Sequence, residues 1–118
     1  MTNAAIVVLA GTEQKSDLGR VVNALETVRA FDQEGDDVEL VFDGAGTQWV
    51  AELEDEDHDY HSLYESVSEH ASVCNYCAQA YDATDAVEES DDAEIIDEFD
   101  GHPSVRSFVE DGYEVITY

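Results

Sequence analysis

The alternation of apolar and polar residues divides the first third of the chain into a strand, a helix and a second strand. An unbroken apolar run over Ala4–Ala10 is typical of a strand covered on both faces, and Val38–Phe42 predicts another. Between them, apolar residues recur at spacings of three and four, which predicts an amphipathic helix over Leu18, Val21, Val22, Leu25, Val28 and Phe31. Ser16 or Asp17 can cap its start, and Gly35 can supply the left-handed turn after its end. The three elements predict one right-handed βαβ unit.

The rest of the chain continues the alternation with shorter elements. The pattern predicts helices over Gln48–Leu53, Tyr60–Glu69, Asn75–Tyr81 and Asp82–Ser90, and strands over His70–Cys74, Ala93–Phe99 and Tyr113–Tyr118. The Ala93–Phe99 segment also fits a helix face, and we choose the strand. A last helix opens around Pro103 and ends at Gly112. Its predicted buried face consists of Val105, Phe108 and Val109.

These elements predict a single domain of the α/β class over residues 1–118, with no internal repeat and no linker. Its architecture is a three-layer sandwich: a mostly parallel five-stranded sheet with helices on both faces, in a doubly wound, flavodoxin-like topology. In such a sheet, ligands and reactive groups collect beyond the carboxyl ends of the strands.

The net charge of the chain indicates the salt concentration at which this fold is stable. Thirty Asp and Glu face four Lys and Arg, giving a formal net charge of −26, and Lys15 is the one lysine. With 43% apolar residues the chain is too hydrophobic for a disordered acidic tail. Repulsion at this charge weakens a compact state at ordinary salt. Since the Debye length falls from ~10 Å at 0.1 M to ~3 Å at 1 M, the composition predicts a halophilic protein.

The same charge excludes several classes of function. Nucleic-acid binding needs a basic surface over the phosphates, and anionic membranes repel this chain. No apolar run approaches the ~20 residues of a membrane span, and no signal-peptide pattern is present, so we expect a cytoplasmic protein with reduced thiols. Nucleotide-binding glycine motifs and a Ser-His-Asp order are also missing. The acidic segment Glu54–Asp59 can bind a cation but lacks EF-hand spacing, and it fits a solvated surface better.

The two cysteines carry the most specific chemistry. Cys74 ends the third predicted strand directly before a helix. Backbone N–H groups at such a position lower the pKa of a thiol below its free value of ~8.5, which favours a nucleophilic cysteine. Alternatively, Cys74 is a small apolar residue that packs in the core. Cys77 completes a C-x-x-C pair, which is typical of a redox pair or of a zinc site. The Gly-Pro that usually separates the cysteines of a redox pair is absent. Zinc needs four ligands, and the candidates to complete the set are His58, His61, His70 and His102. We expect no resident metal or cofactor.

Basic residues are scarce, and three of them are predicted to lie near the carboxyl-end rim of the sheet. Lys15 and Arg20 flank the start of the first helix, and Arg106 lies in the first turn of the last. They can stabilise the Cys74 thiolate or bind an acidic partner, or they can simply pair with nearby carboxylates. His102 can act as a base or orient the thiol, or serve as a loop residue that caps the last helix.

Three segments carry a family resemblance that extends over essentially the whole chain. The sequences of His70–Tyr81, Gly101–Ser104 and Asp111–Tyr118 resemble the DsrE/DsrF-like family of small α/β proteins, which includes the sulfur-relay components TusD, TusC and TusB. The resemblance implies that Cys74 carries sulfur as a persulfide between donor and acceptor proteins. It also implies a homo-oligomer, a trimer or a hexamer. Cys77 departs from the small residue that relay members generally have there, which leaves room for a resolving thiol.

The leading hypothesis is therefore a sulfur-relay component of the sulfurtransferase type that uses Cys74. The alternatives are a thiol-disulfide redox or sensor protein using Cys74 and Cys77, and a non-catalytic oligomeric module, with or without zinc. We expect Cys74 to react with an alkylating reagent before Cys77 does. An edge strand and an apolar surface are expected to form the subunit contact, that surface consisting of Tyr60, Leu63, Tyr64 and Val67.

Overall fold

The computed structural model describes residues 2–118, which form one five-stranded sheet and six α-helices. The strands are β1 (Asn3–Val8), β2 (Asp37–Phe42), β3 (Ala71–Cys74), β4 (Glu94–Ile96) and β5 (Glu114–Thr117). The helices are α1 (Lys15–Gln33), α2 (Trp49–Glu54), α3 (His61–Val67), α4 (Asn75–Ala80), α5 (Thr84–Glu89) and α6 (Val105–Glu110). Short 3₁₀ turns occupy Gly44–Gln48 and Ser68–His70.

The sheet confirms the predicted α/β class. Its strand order is β4-β3-β2-β1-β5, and all of its neighbouring strands are parallel. The chain moves outward from β1 through β2 and β3 to β4, and then returns to the other side of β1 with β5. This order differs from the 2-1-3-4-5 of flavodoxin itself, because here β2, β3 and β4 follow one another without a reversal. The carboxyl ends of all five strands meet at one edge.

The helices lie on both faces of the sheet, as predicted. Right-handed crossovers place α1 to α5 on one face and α6, in the returning connection, on the other. The first face carries the main core: Ala4, Ile6 and Val8 of β1 belong to the same buried cluster as residues of α1 to α5. The members of that cluster from the helices include Val21, Leu25, Val28, Trp49, Leu53, Tyr64, Val67, Ala78 and Val87.

The second face is covered by a thinner layer. Its strand residues alternate with those of the main core and include Val41, Ser72 and Cys74, which are buried. The predicted buried face of α6 is wrong: no residue of this helix is buried, and Val105 and Val109 are 43% and 62% exposed. The six-residue helix turns Phe108 toward Tyr113, at 5.7 Å between ring centroids, and leaves both valines in solvent.

Smaller corrections concern a helix start and a surface. α1 begins after Gln14 without a side-chain cap, so neither predicted capping residue has that role, whereas Gly35 ends the turn after the helix with φ +78° as predicted. The predicted subunit surface is not available, because Tyr64 and Val67 are buried in the core and Tyr60 and Leu63 pack against it. Ala93–Phe99 does contain a strand, as chosen. Within residues 2–118, no helix is long and apolar enough to cross a membrane.

Candidate functional site

Two neighbouring strands end side by side at the carboxyl edge of the sheet. Phe42 of β2 pairs with Val73 of β3, so Asp43, which follows β2, lies beside Cys74, which ends β3. The backbone N–H of Asp43 donates to the carbonyl of Val8 at 3.0 Å. Its carboxylate accepts the N–H of Gly44 at 2.8 Å, which caps the 3₁₀ turn. Two hydrogen bonds therefore hold Asp43 in place at this edge.

Cys74 joins the strand to the following helix. It is the N-cap of α4, and its Sγ accepts the backbone N–H of Cys77 at 3.4 Å. The Cys74 side chain is fully buried, whereas Cys77 is half-buried, and both are free thiols. The predicted position of Cys74, at a strand end directly before a helix, is confirmed.

A tight turn brings His102 onto the thiol. Phe99 and His102 exchange two backbone hydrogen bonds of 2.9 Å, and the two residues between them, Asp100 and Gly101, have left-handed φ values of 49° and 88°. A two-residue turn with both φ values positive suits an Asp-Gly sequence. His102 Nδ1 consequently lies 3.3 Å from Cys74 Sγ.

The same turn is fastened to the start of α4. The Gly101 carbonyl accepts the backbone N–H of Tyr76 at 2.9 Å and lies 3.7 Å from the Cys74 sulfur. The rings of Tyr76 and His102 lie against each other, with centroids 4.8 Å apart and a 35° tilt. The turn therefore covers Cys74 and fixes the orientation of the imidazole.

Four side chains converge where these elements meet: Asp43, Cys74, Cys77 and His102. One donor atom from each lies within 4.8 Å of all the others. Three of the four were singled out from the sequence, whereas Asp43 was not. A usable signal was present, because Asp43 is the first residue after a parallel strand, but it requires knowing that β2 and β3 are neighbours.

Burial dominates the acidity of the central thiol. It raises the pKa of Cys74 to about 12; the N–H of Cys77 lowers it by a smaller amount, and the charge of Asp43 adds to the rise. The predicted lowering of this pKa is therefore wrong. The hydrogen bond that was expected to stabilise the thiolate is present, but loss of water around the sulfur outweighs it.

The predicted basic rim does not gather around this thiol. Arg20 lies 3.7 Å from Asp17, and Arg106 lies 2.8 Å from Glu110. Both arginines therefore pair with nearby carboxylates, which is the alternative considered from the sequence. Lys15 begins α1 beside a surface cavity of about 440 Å³. Within residues 2–118, no lysine or arginine forms a hydrogen bond or ion pair with the four converging side chains.

The remaining histidines have partners away from the cysteines. His61 Nδ1 lies 2.7 Å from the Leu53 carbonyl, and that hydrogen bond raises its pKa. His58 Nδ1 accepts the backbone N–H of Tyr60, and His70 Nε2 lies 2.8 Å from an Asp32 carboxylate oxygen. Of the four histidines considered from the sequence, His102 alone reaches the cysteine pair in the described part of the chain.

Fold and site together define a small parallel α/β protein with a buried cysteine at the carboxyl edge of its sheet. The sequence matches the model of the DsrE/DsrF-like family over residues 4–118, and the chain therefore belongs to that family, as the resemblance predicted. Proteins of this family generally work in sulfur relay with partner proteins. Membership gives this chain a role of that general kind.

The similar proteins themselves have no assigned activity. An uncharacterized protein of Methanocaldococcus jannaschii is 26% identical over 84 residues, which cover 71% of this chain and 68% of that protein. A solved structure, a conserved protein of unknown function from Bacteroides thetaiotaomicron, matches with a TM-score of 0.62 over 97% of this chain and 94% of that one. At 10% identity, this second match shows the fold alone.

Proposed function

We propose that this protein accepts sulfane sulfur from a donor protein as a persulfide on Cys74 and passes it to an acceptor protein. The contact between Cys74 Sγ and His102 Nδ1, at 3.3 Å, carries the proposal. It joins a nucleophilic atom to a base at the edge of the sheet where reactive groups of parallel α/β proteins collect. The proposed setting is the cytoplasm, where thiols stay reduced.

The proposed transfer is a thiol exchange at sulfur. His102 takes the proton of the Cys74 thiol, and the Cys74 thiolate attacks the outer sulfur of a donor persulfide. The sulfur–sulfur bond of the donor breaks while a new one forms on Cys74, so the donor leaves as a thiolate and takes up the proton from His102. Transfer to the acceptor repeats the exchange in the forward direction, and no net oxidation occurs.

Access to the sulfur requires Asp100 and Gly101, at the tip of the covering turn, to move aside while His102 stays beside Cys74. Cys74 is buried, while the neighbouring Phe99 and Tyr76 are 65% and 59% exposed. These two aromatic side chains offer a docking partner an apolar surface beside the thiol. Moving the tip of the turn rehydrates Cys74, which removes the main cause of its raised pKa and makes the thiolate accessible when a partner is bound.

Mass spectrometry after exposure to a sulfane donor tests this proposal. We expect the metal-free, reduced protein to gain one sulfur, and peptide mapping to locate it on Cys74. The Cys77→Ser variant should still gain this sulfur, whereas Cys74→Ser should not. A sulfur that maps to Cys77, or that persists in Cys74→Ser, contradicts the proposed carrier.

A second candidate uses both cysteines as a redox pair. Their sulfur atoms lie within 4.8 Å of each other, which is close enough for a small local movement to form a disulfide. A partner disulfide would be reduced to two thiols as Cys74 and Cys77 become oxidised. The same mass spectra distinguish this reaction, because it removes two hydrogens from the chain and fails in Cys77→Ser.

We also propose that the chain works as a homo-oligomer, a trimer or a hexamer. Exposed apolar side chains of α6 on the thin face support this assembly: Val105 and Val109. Val105 and Pro103 also line an open cavity of about 430 Å³. Burying such a patch between copies removes apolar surface from water.

A further inference from the structure

We propose that Asp43, Cys74, Cys77 and His102 bind one Zn²⁺ ion. The inference rests on these side chains alone and does not depend on the proposed sulfur chemistry. Two cysteines, a histidine and a carboxylate are all established zinc ligands, and four of them complete a tetrahedral shell. The four residues come from three separated parts of the sequence, and the fold brings them to one point.

The distances fit such a shell. With zinc–sulfur bonds of ~2.3 Å and zinc–nitrogen or zinc–oxygen bonds of ~2.0–2.2 Å, neighbouring donor atoms of a tetrahedral site lie roughly 3.3–3.8 Å apart. Cys74 Sγ and His102 Nδ1 are already 3.3 Å apart, and no pair among the four donor atoms exceeds 4.8 Å. Closing around an ion therefore needs side-chain shifts of about 1 Å.

The surroundings orient the donors in the way that metal sites require. The Gly44 N–H binds one carboxylate oxygen of Asp43 and leaves the second available. The Cys77 N–H donates to the Cys74 sulfur, and the Tyr76 ring lies against the imidazole of His102. Such outer contacts fix the rotamers of ligands before a metal arrives.

Electrostatics at the cluster favour a cation. Four lone-pair donors face one another, and the arginines in the described chain form their ion pairs elsewhere, with Asp17, Glu26 and Glu110. The formal net charge of −26 further attracts a divalent ion. Two sulfur donors select against Mg²⁺ and Ca²⁺, which take oxygen ligands, and favour Zn²⁺.

Zinc and sulfur would compete for the same atom. A Cys74 thiolate bound to zinc has its lone pair engaged and cannot attack a persulfide. Zinc would thus hold the thiol in a protected state, and its removal would free the lone pair of the sulfur for reaction. We expect zinc-loaded protein to resist persulfide formation and metal-free protein to accept sulfur.

Metal titration of the whole protein tests the inference. The protein is reduced, stripped with a chelator and titrated in molar KCl with Zn²⁺ against a chromophoric competitor, and separately with Co²⁺. We expect one equivalent of Zn²⁺ that excess Mg²⁺ does not displace. The Co²⁺ form should show thiolate-to-metal charge transfer and the intense visible bands of tetrahedral cobalt.

Variants locate the ion. Cys77→Ser and His102→Gln should each weaken Zn²⁺ binding by ~100-fold or more, since loss of an outer contact alone weakens a site by roughly 10- to 100-fold. Cys77→Ser should also lose about half of the charge-transfer intensity. The control is His61→Gln, whose imidazole contacts the Leu53 carbonyl instead, and it should bind zinc like the parent. Circular dichroism checks that each variant is folded.

The outcomes separate the two proposals. Octahedral cobalt without a sulfur band, or Zn²⁺ affinity unchanged in both ligand variants, overturns the metal site and assigns the ion to surface carboxylates. Persulfide loading of metal-free protein is measured separately, and its failure contradicts the relay while leaving the metal result intact. Zinc-loaded protein that still accepts sulfur on Cys74 shows that this sulfur is not a ligand.

Discussion

At neutral pH the Cys74 thiol keeps its proton, because burial raises its pKa to about 12. In the metal-free protein we therefore expect an alkylating reagent to label the half-buried Cys77 first, which reverses the order expected from the sequence. Labelling of Cys74 should accelerate as pH rises toward 12. Peptide mapping after timed alkylation between neutral pH and pH 10 measures both rates. Faster labelling of Cys74 at neutral pH would show that the turn over it opens readily.

The same pKa shift affects stability in the alkaline range. The buried, protonated thiol contributes stability that is fully present below the pKa of a free thiol, ~8.5, and this contribution is lost as pH rises through about 12. We expect Cys74→Ala to make the fall in melting temperature between pH 9 and pH 11 shallower than in the parent. Cys77→Ala is the matched control and should fall as the parent does. Parallel curves for Cys74→Ala and the parent would contradict a shifted thiol.

His102 Nδ1 lies 3.3 Å from this sulfur, so removal of the imidazole tests the proton transfer. We expect His102→Gln to slow persulfide transfer to Cys74 by about 100-fold, at the lower end of what general bases contribute. His58→Gln is the control, because that ring contacts Tyr60 instead. Equal rates and pH profiles in parent and His102→Gln would limit His102 to a structural role.

At the scale of the elements, the turn after β2 depends on a residue without a side chain. A Cβ added to Gly46 would lie 2.1 Å from the Val8 carbonyl oxygen, so the backbone would have to move. We expect Gly46→Ala to reduce the free energy of unfolding by about 3 kcal/mol, the upper range for overpacking. Gly19 on α1 has open space around it, so Gly19→Ala should raise the free energy of unfolding by roughly 0.5–1 kcal/mol.

Urea unfolding in molar KCl, followed by fluorescence of the buried Trp49, measures both glycine variants. The indole N–H donates to the Ala10 carbonyl at 2.8 Å, so its emission reports on the core beside this turn. Because Gly46 follows Asp43 closely, Gly46→Ala should also weaken Zn²⁺ binding. A variant as stable as the parent would mean that the turn relaxes without cost.

Periodicity in the sequence was sufficient to predict all five strands, because each combines apolar residues with a bounding turn. It could not predict which side chains a short helix buries. Val105 and Val109 have helical spacing, but α6 crosses a face where little else packs. Tyr64 and Val67 were predicted to lie on the surface, because the contact of α3 with α1 depends on tertiary structure. Asp43 was missed for a related reason, since its role follows from the pairing of β2 with β3.

Part of the site could be predicted from the sequence, and the rest depends on tertiary structure. Cys74 and Cys77 are recognisable from their spacing and from the strand before them. His102 reaches the thiol only because Asp100 and Gly101 form a tight left-handed turn, and that consequence depends on three-dimensional structure. The direction of the pKa shift was wrong because a hydrogen-bond donor can be read from the sequence, whereas the burial that opposes it cannot.

At the scale of the whole molecule, the proposed assembly uses the exposed apolar patch of Val105 and Val109. We expect a trimeric or hexameric mass by light scattering in molar KCl, and a shift toward monomer when Val109→Glu places a charge in that patch. Ala30→Glu makes a similar change on an exposed position of α1 and should leave the mass unchanged. A monomeric mass over a wide concentration range would exclude the proposed oligomer.

Salt dependence follows from the charge and the size of the fold. The radius of gyration is 13.0 Å, so at 0.1 M salt a Debye length of ~10 Å lets carboxylates repel one another across much of the molecule. At 1 M the length is ~3 Å, and only adjacent charges interact. We expect the melting temperature to fall steadily as KCl is reduced from molar to tens of millimolar. Mild acidification at low salt should recover part of the loss, because protonated carboxylates no longer repel. A melting temperature that is constant across this range, measured by circular dichroism, would remove the basis for a halophilic adaptation.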